Sequence, residues 1–254
     1  MYKSKYQFFL FIVFLSVAVH WLACTKSEQD PYSSSELGLE YYPVAIGNSW
    51  VYAVDSIVVA LRGSVTIDSS HAFVMEYVAD SFRNATQQLV YRVDLFYRRD
   101  STQGWELIGN HFIEKNNTAL VKREGGLDFT KLIFPVEAFS SWDGNSRIHP
   151  RTQIQVNGEI LEPYADWRYV YNYKDKSEVL DGHSYPQVCK VTEVDDENLI
   201  EKRFSTARYA KNTGLIYREV WILDTQNTNQ AIPFQNRAEK GFILRQKLIS
   251  FCHL

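Results

Sequence analysis

The chain has 254 residues, with 27 Lys and Arg against 30 Asp and Glu, a formal net charge of −3. This mildly acidic balance, without a basic patch, disfavours nucleic acid as a partner, because phosphate backbones demand clustered cations. Apolar residues make up 45% of the chain, enough for a real core. The length suits one large β domain, and no Pro/Gly/Ser linker follows residue 37.

At the amino terminus, Lys3 and Lys5 are the only charges before Lys26. Residues 8–19 are apolar except for Ser16. Twelve helical residues span about 18 Å against about 30 Å for a bilayer core, which suits a signal h-region better than a permanent anchor. Leu22-Ala23-Cys24 follows and resembles the lipobox of bacterial lipoproteins. The resemblance implies that residues 1–23 are removed as a signal peptide and that Cys24 becomes a diacylated amino terminus, the stable attachment that a single lipid chain does not provide. The alternative is a plain secretory signal or short anchor that happens to contain a cysteine. Residues 24–37 are polar, with Pro and Ser, and read as a tether. Lys26 and Glu28 partly resemble the surface-export signals of Bacteroidetes-type lipoproteins. The expected address is the bacterial cell envelope, anchored at the outer membrane and facing the periplasm or the surface. Loss of residues 1–23 takes both signal lysines and moves the balance to −5.

Residues 38–254 are expected to form the β domain. Aromatic residues make up 15% of the chain, and with Val, Ile and Thr they suit a pleated, half-buried surface. Strands are predicted over residues 73–82, 89–98, 105–114, 167–174, 200–209, 215–223 and 242–251. In 89–98, Leu89, Tyr91, Val93, Leu95 and Tyr97 share one face, and Arg92, Asp94 and Arg98 the other. A short helix interrupted by Pro135 is expected within 128–139, and a long irregular loop over 139–151. Asn157-Gly158 and Asp181-Gly182 supply the positive φ of tight hairpins; residues 196–198 and 212–214 are further turn signals. About ten consecutive strands should pair antiparallel. The fold class is therefore all-β: a single antiparallel, strongly curved sheet or half-barrel, with a closed lipocalin-like barrel as the alternative. Either leaves a concave apolar face or cavity.

Three clusters stand out: Tyr41-Tyr42-Pro43-Val44 with residues 46–52 (Ile46, Gly47, Asn48, Ser49, Trp50, Val51, Tyr52); Trp142-Asp143-Gly144-Asn145; and residues 209–219 around Gly214. Together they resemble an uncharacterised group of lipoproteins from Bacteroidetes-type bacteria. That group carries no activity to transfer. Some relatives look similar to half-barrel lipoprotein carriers, which is a fold-level analogy. Physically, Pro43 and Gly47 shape a turn, Trp50 and Tyr52 fall on one face of the first strand, and Gly214 permits a hairpin or bulge.

Catalytic signatures are absent from the sequence: it holds no G-x-S-x-G, Walker A or G-x-G-x-x-G motif. His71, His111, His149, His183 and His253 are scattered without metal-ligand spacing, so no metal and no cofactor is expected. His149 near Asp143 could form an acid/base pair, although a solvated loop is the plainer reading. Glu193, Asp195, Asp196 and Glu197 form an acidic run that reads as a solvated turn rather than a calcium loop. Trp167, Tyr169, Tyr171 and Tyr173 line one strand face, which serves either to grip a sugar or lipid or as plain core. Cys189 and Cys252 either pair as a disulfide in an oxidising compartment or stay free, with Cys189 in an apolar strand. The expected function is that of a non-enzymatic binding or accessory protein whose ligand is lipid, glycan or an envelope protein. The alternatives are a structural or assembly partner of an outer-membrane complex, and an envelope hydrolase.

Overall fold

A computed structural model describes residues 33–253. Residues 1–23, Cys24 and residues 25–32 of the expected tether lie outside the described residues; the end of that expected tether is instead structured, with a helical turn at Ser34–Leu37 and Leu37 buried in the core. Six strands come first: β1 (Ser49–Arg62), β2 (Ser64–Arg83), β3 (Leu89–Arg98), β4 (Glu106–Lys115), β5 (Ala119–Glu124) and β6 (Leu127–Ile133). A bridging segment carries the two-residue β7 (Ser141–Trp142) and the hairpin of β8 (Ile154–Val156) and β9 (Glu159–Leu161). Five long strands complete the chain: β10 (Tyr169–Leu180), β11 (His183–Glu197), β12 (Glu201–Ala210), β13 (Gly214–Asp224) and β14 (Lys240–Cys252).

Twelve of these strands form one antiparallel sheet, nearly closed into a barrel. It runs from β6 back to β1, crosses to β14, runs back to β10 and ends on β7; β8 and β9 stand apart as a pair. Consecutive strands are neighbours because the turns between them are tight. Asn157 and Gly158 (φ 50° and 90°) reverse β8 into β9, and Asp181 and Gly182 (φ 49° and 81°) reverse β10 into β11. Both hairpin signals therefore act as predicted.

Bulges supply the curvature that closes the sheet. Each shifts the pairing register by one residue, and two matter for the interior. Leu120 pairs with Leu132 and Val121 with Thr130, leaving Lys131 as the extra residue of β6. Thr192 pairs with Thr206 and Val194 with Ser205, leaving Glu193 as the extra residue of β11.

The open seam lies between β6 and the β7–β10 edge. It is stitched rather than paired: Thr130 N donates to Gly144 O at 2.8 Å, and Trp142 Nε1 donates to Thr130 O at 2.8 Å. Tyr171 Oη donates to Ile133 O at 2.8 Å and accepts from Ile133 N at 3.1 Å. The short helix expected within 128–139 does not form. Those residues begin as β6 and continue through the cis Phe134–Pro135 bond into the barrel core, because Phe129 and Leu132 find apolar partners there that a helix would not reach. The strand count of about ten also falls short. Among the described residues there are fourteen, the extra ones being short, such as β7, β8 and β9, or carrying charges at apolar-register positions, as β5 does.

The barrel end where β1 starts is plugged. A helical turn at Ser34–Leu37 and a 3-10 turn at Leu39–Tyr41 cross it. Lys115 Nζ donates to the carbonyls of Leu39 (2.7 Å) and Tyr42 (2.8 Å). Tyr41 Oη accepts from Asp175 N at 2.9 Å, and Asn212 N donates to Glu40 O at 2.8 Å. Leu37, Tyr41, Tyr42, Trp50, Tyr52 and Tyr209 are buried there in one core.

Candidate functional site

The motif residues assemble around this plug and the seam. Gly47 turns the chain at φ 91° and its N–H donates to Val78 O at 2.9 Å. Asn48 is buried, and its Nδ2 donates to Pro43 O at 3.2 Å. Trp50 and Tyr52 do share one face, pointing inward. Trp50 Nε1 donates to Thr213 O at 2.5 Å. Gly214, at φ 100°, lies directly under that indole, where a Cβ would sit 3.1 Å from Trp50 Nε1. At the seam, a Cβ on Gly144 would fall 2.5 Å from the Tyr169 ring. Asn145 Oδ1 accepts from Tyr169 Oη at 3.2 Å.

The row of four aromatics divides. Tyr169 and Tyr171 are fully buried and hydrogen-bonded within the protein. Tyr173 is half-buried and donates to Glu178. Trp167 donates to Pro163 O at 2.6 Å and forms part of a cavity wall. Cys189 and Cys252 do not form a disulfide; both thiols are free. Their strands are separated by β12 and β13, about 14 Å of sheet at the usual strand spacing, beyond the Cα separation of roughly 7 Å that a disulfide tolerates. Burial pushes the Cys189 thiol well up, which removes its nucleophilic form. His149 Nδ1 accepts from Arg151 N at 3.2 Å, and Asp143 Oδ1 accepts from Asn145 N at 2.9 Å, each within its own turn. Among the described residues no group of three His, Cys, Asp or Glu is placed to hold a metal ion.

Six charged side chains form a cluster inside the barrel. Glu76 and Lys122 meet at 3.1 Å. Lys131 and Glu193, the two bulge residues, meet at 2.9 Å with side chains only 5% and 1% exposed. Ser205 Oγ donates to Glu193 at 2.7 Å. A bulge admits these charges because its extra residue can turn inward without breaking the alternation on either side. Glu193 thus leaves the predicted acidic run; Asp195, Asp196 and Glu197 stay exposed. Burial acts to raise Glu193, but Lys131, Arg218 and Ser205 hold its carboxyl below the usual range. Burial draws the Lys131 ammonium down to about 8 against the pull of Glu193. Burial, helped by the Lys122 charge, draws His111 down to about 4. Its two ring nitrogens are buried without a hydrogen-bond partner among the described residues.

The third pair is looser and faces a cavity of about 280 Å³. Glu124 lies 3.8 Å from Lys122 and 3.9 Å from Arg218. Lys122, supported by Arg218, holds Glu124 down to about 2 despite its burial. Burial lowers and Glu193 and Glu124 raise Arg218, with a net rise that keeps it charged. Surrounded by protein, both side chains still touch the cavity, at 42% (Glu124) and 19% (Arg218) exposure. Among the described residues Arg218 Nε is buried with no partner, although a guanidinium offers five donors. Phe129, Tyr164 and Trp167 form one wall, with ring centroids 5.5 and 5.9 Å apart along the row. Val220, Ile222, Phe242 and Leu244 form the other.

A larger cleft of about 630 Å³ lies on the other side of the 162–168 segment and is lined by charged groups including Asp166, Asp195 and Arg168. Its one buried cation, Arg203, is already held by Asp224 at 2.7 Å. The apolar cavity is therefore the stronger candidate, since small-molecule sites combine apolar walls with few polar groups.

Sequence reading missed Arg218, Glu124, Lys122 and Glu76. A signal was present. Arg218 shares the inward face of Val220 and Ile222, and Glu76 that of Val74 and Val78. A charge in the apolar register of a strand marks a polar interior. Lys131 and Glu193 gave no such signal, since bulges shift their register.

No family model matches the chain, and no curated protein matches it. Two solved structures are similar in fold. One is a candidate exported protein with a YmcC-like fold from Bacteroides fragilis, at 8% identity and a TM-score of 0.38, covering 84% of this chain and 98% of that chain. The other is a candidate lipoprotein from Parabacteroides distasonis, at 10% identity and a TM-score of 0.35, covering 82% of this chain and 98% of that chain.

Proposed function

We propose that this protein is a bacterial cell-envelope lipoprotein, held at the outer membrane through Cys24, whose β domain binds a small amphipathic ligand and performs no chemistry on it. The observation that carries the reading is the cavity, in which seven apolar side chains from two walls converge beside Arg218 and Glu124. Aliphatic groups outnumber the polar ones, so the wall favours a lipid-like body over a glycan. The anchoring half rests on residues 1–37.

The test of binding is native mass spectrometry and thermal shift with a lipid and glycan panel. Binding to an amphiphile, abolished by the cavity-filling Leu244→Trp with the melting temperature retained, supports the reading. A panel without any response overturns it. The test of anchoring is the mass of the native amino terminus, expected to be an acylated Cys24. A chain starting upstream without lipid removes that half.

A second reading, an assembly partner of an outer-membrane complex, is favoured by one observation. The β1–β2 hairpin carries Leu61, Val65 and Ile67 on its outer face, 45–66% exposed. Cross-linking in intact cells that yields a stoichiometric protein partner at this hairpin would favour it.

A further inference from the structure

The interior cluster is charge-balanced. Lys122, Lys131 and Arg218 face Glu76, Glu124 and Glu193. Two of the pairs are closed by hydrogen bonds, Lys122 to Glu76 at 3.1 Å and Lys131 to Glu193 at 2.9 Å. The third, Arg218 with Glu124, stands open at 3.9 Å and is the pair that lines the cavity. His111 and Tyr169, titratable groups that also touch the cluster, add no charge at neutral pH: burial draws His111 down to about 4, and burial pushes Tyr169, which accepts from Lys131 Nζ at 3.4 Å, well up.

A ligand carrying its own charge would leave one ion of this cluster uncompensated, and an ion with restricted access to water and no counter-ion is unfavourable, Arg218 at 19% exposure more so than Glu124 at 42%. A hydroxyl or primary amide has no such penalty. It can accept from Arg218 and donate to Glu124, and both bonds are charge-assisted. Size narrows the body. A cavity of about 280 Å³ corresponds to about nine water-sized groups, which is a medium chain or a single substituted ring rather than a full-length acyl chain.

Resting on the ligand-binding reading above, we infer that the cavity selects a neutral amphiphile of about nine non-hydrogen atoms, with one polar group that both accepts and donates, over a charged one of the same shape. The Arg218–Glu124 pair is its recognition element, and the aromatic and aliphatic walls hold its body.

The experiment is calorimetric titration at pH 7 with three probes sharing one chain: 1-octanol, octanoate and octylamine. Octanol is expected to bind wild type at least tenfold more tightly than either ion. Glu124→Gln leaves the interior with a surplus positive charge, so octanoate should gain at least tenfold relative to octanol. Arg218→Gln leaves a surplus negative charge, so octylamine should gain instead. Each variant improves binding of one probe, so loss of folding cannot imitate the result. If wild type binds octanoate or octylamine as tightly as octanol, or if neither variant changes the order, the neutral-ligand inference fails and the binding reading stands. If none of the three binds wild type, the neutral-ligand inference falls, and the binding reading falls with it only when the lipid and glycan panel also gives no response.

Discussion

Lys131 and Glu193 offer the sharpest test of the interior, because their ion pair is almost fully removed from water. Lys131→Met keeps the length of the aliphatic stem and deletes the ammonium. Glu193 is then left with Ser205 Oγ at 2.7 Å and the more distant charge of Arg218. Breaking a buried pair from one side is destabilising by about 3–5 kcal/mol, because the surviving charge stays desolvated. The remaining Ser205 bond places this case at the lower end, about 3 kcal/mol, or roughly a hundredfold in the unfolding equilibrium. For a domain of this size that is a fall of about 6–12 °C in melting temperature. Lys131→Met combined with Glu193→Leu removes both charges and should recover most of the loss, to within about 1–2 kcal/mol of wild type, the residue being the Ser205 hydroxyl that loses its acceptor. Urea unfolding followed by tryptophan fluorescence measures all three proteins. A single variant within 1 kcal/mol of wild type, or a double variant no more stable than Lys131→Met alone, refutes the reasoning that a desolvated pair sits between the two bulges.

Other outcomes follow from the same geometry. Gly144→Ala should destabilise by about 2–3 kcal/mol, because its Cβ would meet the buried Tyr169 ring at 2.5 Å and overpacking of this kind has that size. Gly182→Ala, with nothing within 4 Å of the new Cβ but φ at +81°, should lose only about 1–2 kcal/mol from backbone strain; thermal melts that reverse this order would count against the close packing at the seam. Acid should destabilise the fold through His111. Its folded pKa of about 4 lies below the usual 6.5, so above pH 6.5 both states are neutral and nothing is lost. Between 6.5 and 4 the unfolded chain takes up a proton that the folded one refuses. Stability therefore declines across that window by an amount on the order of 3 kcal/mol and levels off below it. His111→Gln should flatten that part of the pH–stability curve, and an unchanged slope would show that other groups produce it.

What the chain determined by local rules is its strand architecture. Alternation in 89–98 is a one-dimensional property, and β3 forms over those same residues. The positive-φ turns at Asn157-Gly158 and Asp181-Gly182 act through their own backbone, so they too are readable without a fold. Residues 128–139 misled because a short helix and an irregular strand end look alike around Pro135; Phe134 and Val136 on either side of it are core residues beyond β6, and only the partners across the barrel decide that. The candidate site was hidden for a related reason. Arg218 and Glu76 sit in apolar registers and could be suspected, but nothing in one dimension brings them near Glu124 or shows that a cavity opens beside Arg218. Lys131 and Glu193 lie 62 positions apart and turn inward only because two bulges, each set by the register of a neighbouring strand, free them from the alternation. Sequence set the bounds of β3 and the places where β8 and β10 reverse, whereas β2 and β10 run on beyond the expected segments, to Ser64 and to Leu180. Closure of the sheet decided which charges meet and which aromatics are core, and that of the row Trp167, Tyr169, Tyr171 and Tyr173 it is Trp167 that lines the cavity. Side-chain direction is a local property of a strand, whereas burial depends on what the rest of the barrel places opposite.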